Sequence, residues 1–175
     1  MRRGASCGVP WPLVTETHIT LFHEDHPTWD ADKRRVIGSA PDGTFELSYQ
    51  DGDALPHDWW VACTQTGNVV GYGWLRPTWG GDADIMLAVL AGAHRQGTGT
   101  LILARLETEA ADHRHPQVCI TVPDTHPHRD ELQDWLAVRG YRWSTTDRAL
   151  RKQVGGMRVP RQAQAGGALR VAAHD

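Results

Sequence analysis

The stretch AHRQGTGT, residues 93–100, lies between a run of β-formers (DIMLAVL) and a helix-like run (LILARLETEAADHR). Two glycines one residue apart at such a junction suit a backbone that approaches a ligand closely. Unpaired N–H groups and the positive end of the following helix both favour an anion, so phosphate binding is the chemistry this pattern suggests. Two common phosphate loops are excluded by the neighbouring residues. A P-loop continues with Gly-Lys-Ser/Thr, whereas Thr100 and Leu101 follow Gly99. A dinucleotide fingerprint needs a third small residue where Ile102 stands, and it follows a β-α-β order that is missing here.

Other chemistry is less well supported. The histidines occur in groups such as HEDH, HRH and HPH, whose spacing places no second His or Cys at ligand distance on a helix face, so no metal is expected. Cys7, Cys63 and Cys119 are odd in number and far apart, as expected of reduced thiols in a cytoplasmic protein. A formal charge of −3 argues against a nucleic-acid partner. No apolar run is long enough to span a bilayer, and Gly and Pro break the N-terminal stretch too early for a secretory signal.

The elements that must position the loop follow from periodicity. Residues 17–22 alternate as a first strand, and 27–40 run from Pro through acidic and basic residues to Gly38, as a short helix does. Residues 41–57 read as a long loop with a short strand at 44–49. Residues 59–65 and 69–75 flank Thr66-Gly67-Asn68 as a β-hairpin, and 84–90 form the strand that leads into the glycine loop. A helix of about three turns follows, with Ile102, Leu106 and Ala110 on one face. Residues 117–122 are a buried strand. A second helix at 129–139 turns Leu132, Trp135 and Leu136 inward and stops at Gly140. Residues 141–154 read as one final strand. We therefore expect a leader at 1–16, one domain at 17–154, and an Ala/Gly/Arg-containing flexible tail at 155–175. The order gives a mixed α/β sheet with helices on both faces.

Three motifs, in order and at fixed spacing, resemble the GNAT superfamily of acyl-CoA-dependent N-acyltransferases. Val89 stands eight residues before Gly97-Thr98-Gly99 at the head of a helix; VVGYGWL resembles the family's strand with Gly after an apolar pair; and WLAVRGY resembles its closing signature. The resemblance implies a mostly antiparallel sheet with a central strand splay. It also implies acetyl-CoA as co-substrate, bound by the backbone of Gln96, Gly97, Thr98, Gly99 and Thr100 at the pyrophosphate. Arg95 would add a charge, and Val89, Leu90 and Ala91 would pair with pantetheine. An N–H near Ala88–Val89 would polarise the thioester carbonyl. Two positions depart from the family. His94 stands where Arg or Gln is usual, and Leu136 stands where a Tyr often protonates the leaving thiolate.

Many relatives carry a Glu at the start of the strand leading to the loop; here Asp84 is nearly at that place, as a general base working through water or as a solvent-facing strand cap. His126, with His128 and Asp124, is a second candidate group, in a segment that also reads as plain polar sequence before a helix. Of adjacent Trp59 and Trp60, alternation sends one to each face. Trp60 and Trp79 are expected to wall an acceptor pocket, with core burial as the competing role, and Asp124 to meet the acceptor. Asp51, Asp53 and Asp58 suit a cationic amine or a solvated loop equally. The resulting expectation is an N-acetyltransferase acting by direct attack of a small-molecule primary amine, as a monomer or homodimer. The alternatives are a non-catalytic acyl-CoA-binding domain and a protein or peptide N-acetyltransferase.

Overall fold

The computed structural model describes residues 18–155; the expected leader and all but the first residue of the expected tail lie outside them. The elements run β1 (Ile19–Glu24), α1 (Ala31–Ile37), β2 (Asp58–Thr64), β3 (Val69–Pro77), β4 (Ala83–Val89), a 3-10 turn (Ala91–Ala93), α2 (Thr98–Asp112), β5 (Gln117–Ile120), α3 (Arg129–Val138), β6 (Arg142–Ser144) and β7 (Ala149–Gln153). Among the described residues the strands form one seven-stranded sheet, in the order β1-β2-β3-β4-β5-β7-β6. Hairpins join β2 to β3 and β3 to β4, so those pairs are antiparallel. The parallel pair β4–β5 is joined by the α2 crossover, as parallel neighbours require.

Helices cover both faces. Ile102, Leu106 and Ala110 of α2 are fully buried with Leu136 of α3 against Trp60, Leu75, Ile85 and Val118. The opposite face carries α1, where Val36 and Ile37 meet Trp59, Tyr72, Trp74 and Ala88. Alternation along β2 thus buries both members of the Trp59–Trp60 pair, one per face. Asp30 caps α1 by accepting from the Lys33 N–H at 2.8 Å. Lys33 is buried; its ammonium bonds Glu24 at 2.9 Å and Asp30 at 3.1 Å and lies 4.8 Å above the Tyr72 ring.

Two glycines of β3 set how closely α2 sits on the sheet. A Cβ at Gly73 would stand 2.3 Å from Ile102 Cγ2, and one at Gly71 would stand 2.8 Å from Ile102 Cδ1. Bare backbone at these two positions lets the helix settle onto β3, which fixes the height of its N-terminus over β4.

Two expectations fail. Residues 44–49 make no strand. Their alternation is real, since Phe45, Leu47 and Tyr49 turn inward, but the segment crosses the α1 face of the sheet, with Phe45 5.2 Å from Trp74, and finds no strand edge to pair with. Residues 141–154 make a hairpin, not a single strand: β6 pairs with β7, and β7 inserts beside β5. The reversal hid in a turn without glycine, where Arg148 itself takes φ +55°.

Candidate active site

β4 and β5 pair only at Ala83–Val118 and Asp84–Cys119, and beyond these they part. The direction of the β4 backbone groups past that point is fixed by its other neighbour. Leu90 N–H donates to Val70 O at 2.9 Å, so Leu90 and, two residues back, Ala88 spend their backbone groups on β3. Leu87 and Val89, in the alternate register, aim N–H and C=O into the splay. This corrects the expectation for Leu90, whose carbonyl is also taken, by Ala93 N–H at 2.8 Å. Ala91 likewise uses its carbonyl on His94 N–H at 3.2 Å. Leu87 was missed from the sequence, although the period of two along β4 contains the signal.

At the open end of the splay stands the glycine loop. Arg95 has φ +60° and Gly97 φ +82°, and a Cβ at Gly97 would meet nothing within 4 Å. The first bond of the helix ladder runs from Leu101 N–H to Gly97 O at 2.9 Å, so the amides of Thr98, Gly99 and Thr100 have no partner within the helix. Gln96 braces the turn by donating to Gly92 O at 2.9 Å, and Thr98 is buried with its methyl against Gly71. A Cβ at Gly99 would come within 3.8–3.9 Å of Leu87, Val89 and Trp135. That glycine therefore sits against the side chains of β4 residues that flank the splay, which places the amide-lined turn next to it.

His94 does not point to the turn. Its Nε2 lies 2.7 Å from Val89 O and must carry the proton of that bond. The ring thus holds the carbonyl that β4 turns to the splay.

Asp84 sits at the root of the splay, on the α1 face with Met86 and Ala88, and its carboxylate takes a bond from Arg76 at 2.8 Å. Three residues of strand put it about 10 Å from Leu87, a span for water and not for direct contact. His126 lies in the turn after β5. Its Nδ1 accepts the His128 N–H at 3.1 Å, which leaves Nε2–H as a donor and no free lone pair for a base. Burial first, then the neighbouring His128, holds its pKa below the ordinary histidine value.

The expected acceptor residues have other partners or other places in the structure. The Asp124 carboxylate is shared by Arg129 at 3.0 Å and Arg148 at 2.5 Å, tying the turn after β5 to α3 and to the β6–β7 hairpin. Trp60 lies under the Arg105 guanidinium, 4.0 Å from its ring centroid, and Ile102 and Leu106 fill the bare strand at Gly73 between it and β4. Trp79 is fully exposed in the β3–β4 turn, at the end of β4 away from the loop. Asp51 pairs with Arg34, Asp53 accepts from Gln50 N–H, and Asp58 lies between His23 and His113. Among the described residues no group of three or more His, Cys, Asp or Glu is arranged to hold a metal. No described helix is long and apolar enough to cross a membrane.

Residues 19–141 match the family model described as Acetyltransferase (GNAT) family. No curated protein sequence matches the chain. Among solved structures, a candidate acyl-CoA N-acyltransferase from Klebsiella pneumoniae subsp. pneumoniae MGH 78578 is similar at 18% identity and TM-score 0.60, over 78% of this chain and 97% of that one. N-acetylglutamate synthase from Neisseria gonorrhoeae, complexed with coenzyme A and L-arginine, is similar at 14% identity and TM-score 0.58, over 78% of this chain and 33% of that one. A candidate acetyltransferase from Exiguobacterium sp. 255-15 is similar at 15% identity and TM-score 0.50, over 78% and 93%. At these identities the likeness shows the fold.

Proposed function

The chain belongs to the GNAT acetyltransferase family, and from that premise we propose that it is a cytoplasmic N-acetyltransferase that acylates a small primary amine by direct attack. The observation that carries the reading is the adjacency of two features: the splay that opens after Asp84 and Cys119, and the free amides at the head of α2. The residues fit acetyl-CoA. Thr98, Gly99 and Thr100 offer amides to the pyrophosphate, bare Gly97 leaves room for it, and Leu87 and Val89 offer strand-like pairing to pantetheine. Acetyl-CoA supplies an acyl group activated as a thioester.

The chain's own contribution is to place donors and remove a proton. The N–H of Leu87 or Val89 polarises the acyl oxygen from the edge of the splay. The acceptor nitrogen bonds the acyl carbon as the carbon–sulfur bond breaks, and its proton passes through water towards Asp84. His126, in the turn after β5, offers its Nε2–H as a donor. Leu136 is buried in the core and offers no proton, so the thiolate leaves without help from that helix position. The small acceptor is supported by the roof over the α1 face. Residues 43–49 run from Thr125, 3.8 Å from a Cβ at Gly43, to Phe45 on Trp74, which narrows the approach to β4 from that side.

The test pairs calorimetry of CoA binding with release of thiol from acetyl-CoA over an amine panel. CoA binding with turnover of at least one small amine is expected. Binding without turnover of any amine selects the reading in which the domain binds acyl-CoA without catalysis, and absence of CoA binding overturns both.

A further inference from the structure

His94 is turned onto Val89, so the loop's own cation at the head of α2 is Arg95. A second cation reaches the same place from α3. Arg139 donates through Nη2 to Thr100 Oγ1 at 2.9 Å and through Nη1 to the Trp135 carbonyl at 2.8 Å. Its guanidinium lies over the Trp135 ring, 4.1 Å from the centroid, and that indole is 3.8 Å from where a Cβ at Gly99 would stand. The turn that follows α3 holds this residue in place: Gly140 takes φ +93°, with Gly140 N–H on Ala137 O and Tyr141 N–H on Leu136 O.

The arrangement is electrostatically incomplete. Among the described residues no carboxylate pairs with Arg139, and its Nε is buried without a partner. The neighbouring acid, Glu107, is spent on Lys152 at 2.7 Å and on the Tyr141 hydroxyl at 3.0 Å. The C-terminal end of α3 favours a cation at this point, but the N-terminal end of α2 does not. An anion beside Thr100 satisfies the guanidinium and the free amides together. A groove of about 300 Å³, lined by Thr100, Leu103, Ala104, Glu107, Arg139 and Lys152, opens beside the guanidinium along the flank of α2.

We propose that Arg139 binds a phosphate of CoA, supplying from α3 the side-chain charge that position 94 lacks, with Trp135 holding the guanidinium in position. The inference rests on the reading of residues 95–100 as the CoA loop. The phosphate chemistry is shared by the pyrophosphate and the 3′-phosphate, and the ligands chosen below separate them.

Calorimetry of the full chain with CoA and with 3′-dephospho-CoA is compared for wild type, Arg139→Gln and Arg139→Lys. Thermal midpoints are measured alongside, and kcat/KM is measured for S-acetylpantetheine, which carries no phosphate. Loss of a charged hydrogen-bond pair predicts CoA binding about ten- to a hundredfold weaker in Arg139→Gln. Lysine restores part of it, as a point charge without the planar fork. A loss that persists with 3′-dephospho-CoA assigns the pyrophosphate; a loss confined to CoA assigns the 3′-phosphate. Equal affinities in wild type and Arg139→Gln for both ligands overturn the inference while the CoA loop stands. A matching fall in kcat/KM for S-acetylpantetheine also overturns it, by showing a structural role. If wild type binds no CoA, the functional reading fails and this inference falls with it.

Discussion

The imidazole of His94 is hydrogen-bonded to the main chain of Val89, Nε2 to carbonyl oxygen at 2.7 Å, across the open end of the β4–β5 splay. The side chain at the position where the family usually offers Arg or Gln therefore faces the strand and not the amide turn. It occupies an acceptor that the proposed pantetheine pairing needs.

A ligand that pairs with the Val89 carbonyl either displaces this ring or shares the oxygen with it through the second lone pair, and displacement is the case that a His94 variant tests. A typical net hydrogen bond of about 0.5–1.5 kcal/mol then predicts that His94→Ala lowers KM for acetyl-CoA roughly two- to tenfold, with little change in kcat. Steady-state kinetics decides the point, since a raised KM places His94 among the phosphate ligands.

The two loop glycines differ in what they require. Gly97 holds φ +82° in open space, so Gly97→Ala meets backbone strain of about 1–2 kcal/mol without a clash. Gly99 has no such strain, and a Cβ there makes only ordinary contacts at 3.8–3.9 Å. Gly99→Val should lower the thermal midpoint by a few degrees through crowding of Leu87, Val89 and Trp135, and should lose CoA binding in the protein that remains folded. Unchanged affinity by calorimetry removes the loop from the site.

Gly73 tests whether the seating of α2 matters. Its missing Cβ would stand 2.3 Å from Ile102 Cγ2, a side-chain atom that must shift for any larger residue. Gly73→Ala should cost about 1–3 kcal/mol by overpacking, several degrees in thermal midpoint, and should weaken CoA binding as the helix rises. Adding Ile102→Leu, whose side chain has no Cγ2 because it branches one carbon further out, should recover part of the stability. No recovery places the strain elsewhere.

Asp84→Asn keeps the size of the side chain and removes the base. A base acting through water predicts a fall in kcat of about ten- to a hundredfold near neutral pH, greatest at the low end of the pH range and shrinking as hydroxide rises. CoA affinity should be unchanged. Wild-type rates at every pH return Asp84 to its structural partner Arg76, 2.8 Å away.

Direct attack also makes a claim about thiols. Burial pushes the Cys119 thiol up to about 11, and burial raises Cys63 as well. Near neutral pH both are protonated and poor nucleophiles. Intact-mass measurement after incubation with acetyl-CoA and no amine should show neither residue acetylated; an adduct on either would indicate an acyl-enzyme route. The same shift has a sign in stability. The unfolded thiol ionises at about 9 while the folded one stays protonated to about 11, so the native state loses stability as pH rises through that window. Cys119→Ala should flatten the stability profile there.

Much of this molecule is local, and local features were legible in the chain. The inward face of α2 at Ile102, Leu106 and Ala110 follows from a period of 3.6. The stop at Gly140 follows from the need for positive φ, and the glycine loop from its place between strand and helix. The β6–β7 reversal was hidden because its positive-φ residue is Arg148, whose type gives no turn signal. Residues 44–49 misled because alternation reports which side chains are buried, not whether a strand edge lies alongside.

The sequence by itself determined the element types around the loop, the bare backbone at Gly97 and Gly99, and the family that this order of motifs resembles. Those rest on φ preferences and on periodicities of 2 and 3.6, which are properties of neighbouring residues. Tertiary structure alone decided which backbone groups remain free, because Leu90 is spent on Val70 and Leu87 is not. It also decided that Asp124 is consumed by Arg129 and Arg148, that His94 turns to Val89, and that Arg139 arrives beside Thr100 from 39 residues away. Hydrogen-bond partners and ion pairs depend on where distant segments come to rest, and no local period encodes that.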